Sequence, residues 1–108
     1  MGFDAFDVAL DLVRSLKAPI AKIAVHDPAL AGQLERARSS VPLNLREGRR
    51  RAGRDRLHHW RIAAGSTDEI VGALLTAEAL DYVTRDDIAE PLAFADRELA
   101  MCWRMTNK

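Results

Sequence analysis

Seven arginines lie within one segment, residues 46–61, and could bind the phosphates of a nucleic acid. A guanidinium group binds a phosphate through two parallel hydrogen bonds, and such binding weakens steeply as salt rises. Trp60 and His59 in the same segment could stack on unpaired bases. With Glu47 and Asp55, the net charge is seven minus two, or +5. We call this segment the basic elbow, and its arginines are Arg46, Arg49, Arg50, Arg51, Arg54, Arg56 and Arg61.

An acidic stretch follows the basic elbow. Residues 67–99 hold nine acids and two arginines, a net charge of −7, although the whole chain is formally neutral. Charge is therefore separated along the chain. The basic elbow could instead be a solvated surface, or its arginines could pair with acids of a neighbouring subunit. The sequence leaves these interpretations open.

Three polar residues, Ser40, Asn44 and Glu47, lie four and three positions apart and so share one helical face. Asn44 and Glu47 could reach Ser66 or Arg36 across a pair of helices. A catalytic site would need a nucleophile, a base and an orienting group, and the spacing places no histidine beside Ser40. We interpret these residues as a structural polar network that fixes helix register, with no catalytic residue among them.

Metal and cofactor sites are not indicated. Asp55 and His58 have the spacing of half a di-iron motif, but the second half is missing, so we expect no metal and no cofactor. The single cysteine, Cys102, excludes a disulfide within the chain, and its place on an apolar stripe predicts burial. Gly65 lies in a run of small residues, which predicts the close approach of a neighbouring helix backbone.

Size and composition predict one folded domain. The chain has 108 residues, of which 48% are hydrophobic, and this suffices for a modest core. No apolar run approaches the ~20 residues that span a bilayer, so we expect no membrane contact. With no signal-peptide pattern and one cysteine, we expect a bacterial-type cytoplasmic protein.

Apolar residues recur every three to four positions through most of the chain, which predicts helices. Because the predicted connections are short, successive helices should be antiparallel neighbours. The expected fold is all-α, a left-handed, up-down-up-down four-helix bundle in one domain. The four helices are expected at residues 3–25, 28–51, 54–83 and 87–105.

Capping residues and prolines indicate where these helices should begin and bend. Asp27 should cap the second helix, and Thr84 or a following aspartate the fourth. Pro19 and Pro42 should kink the helices that contain them. The apolar stripe expected on the fourth helix is Ile88, Leu92, Ala95, Leu99 and Cys102.

Two linked motifs resemble the bacterial 23S rRNA intervening-sequence protein family. The first is a glutamine, then Arg-Ala, a serine, and Asn-x-x-Glu-Gly followed by basic residues. The second is Ala-x-Gly-Ser-x-x-Glu on the third helix. The polar positions that match, and that we assign to the structural polar network, are Gln33, Arg36, Ser40, Asn44, Glu47, Ser66 and Glu69. Arg46 departs from the pattern, since the family usually has a small residue there.

The resemblance covers nearly the whole chain and implies a small helical bundle that assembles into a ring-like homopentamer. Some genes of this family lie within intervening sequences of ribosomal RNA genes. A related branch, the accessory variability proteins of diversity-generating retroelements, forms basic pentamers that bind a reverse transcriptase and nucleic acid.

From the residues and the resemblance, we expect a non-enzymatic oligomeric protein that contacts RNA or DNA through the basic elbow. The alternative is a protein-binding or assembly scaffold without a nucleic-acid role, and an enzyme ranks third. Salt-dependent binding to any nucleic acid would separate the first two.

Overall fold

The computed structural model describes residues 3–107, and five helices joined by short turns make up nearly all of them. Residues 3–107 contain no β-strand, so the predicted all-α class is confirmed. The number of helices differs from the four predicted. The helices are α1 (Asp4–Ser15), α2 (Lys17–His26), α3 (Pro28–Arg49), α4 (Gly53–Ala79) and α5 (Arg85–Thr106).

The first predicted helix is divided into α1 and α2 at Leu16. Pro19 has no N–H to donate, and its ring crowds the carbonyl four residues earlier, at Ser15. The Leu16 N–H is shared between the Leu12 carbonyl (3.2 Å) and the Val13 carbonyl (3.3 Å), and Arg38 on α3 donates its Nε–H to the Val13 carbonyl (2.9 Å). The helix therefore breaks at Leu16, three residues before Pro19.

The predicted caps are confirmed. Asp27 accepts a hydrogen bond from the Leu30 N–H (3.0 Å) at the start of α3. The Thr84 hydroxyl accepts from the Asp87 N–H (3.2 Å), while the Asp87 carboxylate accepts from the Thr84 N–H (2.9 Å), a reciprocal capping box. Pro42 lies inside α3, which continues without interruption to Arg49.

Helix α4 ends at Ala79, four residues earlier than predicted. Asp81 adopts a left-handed conformation with φ of 63°. Its N–H bonds to the Glu78 carbonyl, and the Tyr82 N–H bonds to the Ala77 carbonyl, both at 2.9 Å. This is a Schellman termination, which the apolar spacing alone does not reveal.

The helices pack around one apolar core. Helix α1 contacts α3 and α5, α2 contacts α3, α3 contacts α4, and α4 contacts α5. The molecule measures 42 × 22 × 21 Å. Within the described residues, no helix has the length and apolar character required to cross a membrane. Large side chains buried in the core include Leu12, Leu16, Ile23, Leu34, Leu45, Ile70, Leu74 and Ile88.

Two positions differ from expectation in their surroundings. Gly65 is exposed, and a methyl group added there would meet no atom within 4 Å, so the close helix approach predicted at this glycine is wrong. On α5 the fully buried residue is Glu98, whereas Leu99, expected on the apolar stripe, is half-buried. The apolar period thus contains a carboxyl group that the sequence interpretation overlooked.

Candidate functional site

The basic elbow folds as the tight turn between α3 and α4. Arg50 still has helical dihedral angles and caps α3, with its N–H bonded to the Arg46 carbonyl (3.3 Å). Gly53, the first residue of α4, has φ of 59°, a conformation that costs glycine little but strains other residues. The chain therefore reverses within three residues and brings two helix ends together.

Arg56 closes this turn from the α4 side. Its Nε donates to the Gly48 carbonyl (3.2 Å), and its Nη2 donates to the Arg49 carbonyl (3.1 Å). These carbonyls belong to the last turn of α3, where the helix dipole places partial negative charge, and the Gly48 carbonyl also accepts from the Arg51 N–H (3.1 Å). One predicted phosphate ligand is thus also a structural clamp of the elbow.

Trp60 is held rigidly beside this clamp. Its indole N–H donates to the Leu45 carbonyl (3.2 Å), and Arg56 lies over its ring at 5.4 Å from the centroid. A methyl group added to Gly48 would stand 2.6 Å from Trp60 Cδ1 and Nε1. Gly48 is therefore the position where the absence of a side chain permits close helix packing.

Five of the six other arginines of the elbow divide into two groups. Arg46 lies 5.2 Å from the Phe6 ring centroid, and Arg49 lies 4.9 Å from that of Phe3, both on the α1 side. Arg50, Arg54 and Arg61 are exposed and, within residues 3–107, form no side-chain hydrogen bond or salt bridge.

Arg51 is the elbow arginine that is neutralised by acids. It bonds to Glu47 (3.0 Å) and approaches Asp55 (3.8 Å). The hydrogen bond from Arg51 is the main reason that the pKa of Glu47 is lowered from its ordinary value. Glu47 therefore serves the elbow on its own helix and does not bond to Ser66 or Arg36, as the sequence suggested it could.

The predicted polar network forms in part. Ser66 on α4 donates to the Ser40 hydroxyl on α3 (2.8 Å), and the Asn44 amide nitrogen donates to the same oxygen (3.1 Å). Gln33, Arg36 and Glu69, also assigned to it, are exposed, and the network in residues 3–107 does not include them.

The network also includes a histidine that spacing did not place there. Asn44 Oδ1 lies 3.0 Å from His59 Nδ1. Because the Asn44 amide nitrogen already donates to Ser40, its oxygen must accept, which assigns the proton to Nδ1 of His59. The helix pairing between α3 and α4 makes this contact, and no signal within either helix could have revealed it.

An open cleft lies beside the elbow, between the start of α1 and the end of α5. Its volume is about 600 Å³. Sequence reasoning missed Phe3 and Arg104, which the fold brings from opposite ends of the chain. We call it the terminal cleft, and the residues that define it are Phe3, Arg49, Arg56, Trp60 and Arg104.

A carboxyl and a thiol are buried together on α5. Cys102 is buried, as predicted, and its Sγ donates to Glu98 Oε2 (3.5 Å). Glu98 Oε1 has no hydrogen-bond partner among the described atoms. Burial raises the pKa of Glu98 to about 7, and burial together with the nearby Glu98 charge raises the pKa of Cys102 to about 12.

The described residues contain no group of three or more histidine, cysteine or acidic side chains placed to hold a metal ion. Asp55, half of the incomplete di-iron spacing, lies instead near Arg51.

Comparison with known proteins identifies the family. The model of the 23S rRNA-intervening sequence protein family matches residues 4–103. The fold is similar to the crystal structure of a protein with unknown function from the S23 ribosomal protein family of Bacteroides thetaiotaomicron. That structure shares 16% identity and a TM-score of 0.86, over 96% of this chain and 99% of the other. No curated protein matches the chain significantly. Since the family model spans nearly every described residue, the chain belongs to the 23S rRNA-intervening sequence protein family.

Proposed function

We propose that this protein is a non-enzymatic, oligomeric helical-bundle protein that binds RNA or DNA through the basic elbow. The supporting observation is that, within residues 3–107, most of the elbow's arginines have no ion-pair partner. Among residues 3–107, Arg51 alone of the seven arginines has a carboxylate within 4.0 Å. All except Arg56 are exposed. Uncompensated surface charge of one sign attracts a polyanion, and released counterions add to the affinity.

The arrangement of the elbow also favours a binding surface over a solvated loop. The Arg56 clamp and the Trp60 hydrogen bond fix the turn, so the exposed guanidinium groups project from a rigid backbone. A site held in place before binding loses less conformational entropy when its ligand binds. The exposed Arg50, Arg54 and Arg61 form no side-chain hydrogen bond or salt bridge within residues 3–107, so phosphates would reach them without competing intramolecular contacts.

The proposed assembly is a homopentamer of left-handed, up-down-up-down four-helix bundles, in which α1 and α2 together take the place of the first helix. Each helix from α2 to α5 packs on a neighbour in sequence, which agrees with this topology. Five elbows on one ring would act together and raise the avidity for a long nucleic acid. The expected mass is five times 12.0 kDa, about 60 kDa.

We further propose that the protein is cytoplasmic and that it has a protein partner. The family resemblance supports a partner of the reverse-transcriptase type, which would approach the same nucleic acid. Co-purification of such an enzyme with the wild-type protein from a bacterial lysate, abolished by nuclease treatment, would indicate that nucleic acid links the two.

The decisive experiment reverses charge at the elbow and compares a matched control. The test variant is Arg50→Glu with Arg54→Glu, and the control is Lys17→Glu with Arg97→Glu. All four positions are exposed and free of salt bridges within residues 3–107, so both variants change the net charge by −4. Fluorescence anisotropy with labelled RNA and DNA at several salt concentrations would give the affinities.

The elbow variant should bind at least tenfold more weakly than the control. The slope of log K against log salt should fall by about 0.7 for each single-strand phosphate that the variant no longer binds. Light scattering should show the same oligomer for both variants. If the wild type binds neither nucleic acid, or if elbow and control variants bind equally, the proposal fails. An oligomer that dissociates only in the elbow variant would instead assign the arginines to assembly.

A further inference from the structure

The terminal cleft combines features that the elbow alone does not explain. Phe3 comes from the start of α1 and Arg104 from the last turns of α5, yet both line one cavity with the elbow's Trp60. Its volume of about 600 Å³ falls within the ~300–1,000 Å³ typical of small-molecule sites. The cleft is thus large enough for a ligand of nucleotide size.

Two adjacent aromatic rings in this cleft are each covered by an arginine. The Phe3 and Trp60 centroids are 6.0 Å apart, with the rings tilted by 43°. Arg49 lies over Phe3, and Arg56 lies over Trp60. Guanidinium planes and aromatic rings both stack on nucleobases, so a planar base could extend either pair.

The cleft also carries excess positive charge. Arg49, Arg56 and Arg104 contribute three positive charges against the single carboxylate of Asp4. None of the three arginines has a carboxylate within 4.0 Å among residues 3–107. Arg56 uses Nε and Nη2 to hold the elbow, which leaves its Nη1 for an anion. An acidic group on the ligand would therefore find two or three available cations.

The α5 wall of the terminal cleft is formed by flexible, apolar methionine side chains. Met101 and Met105 are half-buried on α5 and face the same cavity. Methionine side chains adapt their shape to irregular partners, so this wall would accept different bases without strong selection. A free phosphate would leave the rings and methionines unused, and a base paired inside a duplex could not reach them.

We propose that the terminal cleft receives one unpaired nucleotide of a bound single strand. The base stacks at the Phe3–Trp60 side, and the adjacent phosphate contacts Arg104. This inference rests on the proposed nucleic-acid function and adds to it a preference for unpaired over duplex segments.

Fluorescence of Trp60 provides a direct test. The chain has two tryptophans, so Trp103→Phe at an exposed position leaves Trp60 as the only indole. Titration of this variant with adenosine monophosphate should quench the emission saturably, whereas ribose 5-phosphate should not, because it has no base. Adding Arg104→Glu should raise the concentration required at least tenfold. Adding Arg97→Glu, on the same helix, should change nothing.

Binding of a short single strand and of its duplex separates this inference from the proposed function. Arg104→Glu should weaken the single strand and spare the duplex, whereas the Arg50→Glu, Arg54→Glu variant should weaken both. If Arg104→Glu weakens both equally or neither, or if the nucleotide does not quench Trp60, the cleft proposal is wrong while binding through the elbow stands. If the wild type binds neither strand, the proposed function fails, and this inference fails with it.

Discussion

Replacing Glu98 with methionine should stabilise the protein at neutral and alkaline pH and remove most of its pH dependence between pH 5 and 8. Glu98 is fully buried; within residues 3–107, one of its carboxyl oxygens has no hydrogen-bond partner and the other lies near a weakly polar thiol. Keeping this group charged in the core is unfavourable, and burial therefore raises its pKa to about 7. Methionine has a similar length and needs no hydrogen bond.

The magnitude follows from the difference between the folded and unfolded pKa. The folded value is about 7 and the ordinary value is 4.5, so the difference of roughly 2.5 units corresponds to about 3 kcal/mol. Because the folded state binds the Glu98 proton more tightly than the unfolded state does, the stability that this proton contributes is fully present below pH 4.5. It is lost as pH rises from 4.5 to 7 and stays low above that. Between pH 5 and 8 the expected loss is about 2.5 kcal/mol.

Other shifted carboxyl groups act in a different pH range. The Thr84 backbone N–H, together with Lys22, lowers the pKa of Asp87 to about 2. Its contribution is therefore present above pH 3.8 and is lost only as pH falls toward 2. Acid-side changes below pH 4 thus belong to groups such as Asp87, and the difference between wild type and Glu98→Met isolates the buried carboxyl.

Urea unfolding followed by circular dichroism at pH 5, 6, 7 and 8 would measure the effect. The stability difference between Glu98→Met and wild type should grow by about 2.5 kcal/mol over this range. Glu90→Met, on an exposed position of the same helix, should stay within about 0.5 kcal/mol of wild type throughout. A difference for Glu98→Met that is constant with pH would refute the reasoning, since it would mean that Glu98 does not titrate in the core.

Three further substitutions test local features of the fold. Asp81→Gly should raise the free energy of unfolding by about 0.5–1 kcal/mol, because glycine adopts the left-handed conformation without strain; an unchanged urea midpoint would contradict this. Gly48→Ala should cost about 1–3 kcal/mol by overpacking against Trp60, and its thermal midpoint and indole emission should both shift; a silent substitution would show that this contact is loose. Thr84→Ala should lose about 1 kcal/mol with the cap, whereas Thr76→Ala on the exposed face of α4 should lose nothing in the same assay.

Sequence reasoning was most successful where one helix alone determines the outcome. The three-to-four spacing predicts helices, and the sequence offers Asp27, and Thr84 or a following aspartate, as caps, because a side chain acting on its own backbone needs no tertiary information. The burial of Cys102 was also correct, since its position continues the apolar period. Such features depend on neighbours within about four residues.

Of the features that depend on packing between helices, the sequence predicts part of the polar network, in which Ser40 meets Ser66, and misses most others. Nothing in the local spacing indicates that Asn44 meets His59, or that Arg104 lies beside Trp60. Gly65 and Gly48 appear equally small in the sequence, and only the packing shows which one lies against an aromatic ring. The basic elbow itself was predicted as a surface feature, because charge density is a property of the sequence.

The break at Leu16 has a consequence for how the first part of the chain becomes ordered. It leaves α1 with 12 residues and α2 with 10, lengths at which an isolated helix in water is marginal. Arg38 of α3 supplies the hydrogen bond that covers the Val13 carbonyl at this junction. The amide protons of these two short helices should therefore exchange with solvent mainly when their packing on α3 and α5 is lost, so this N-terminal fifth of the chain would open as a single cooperative unit.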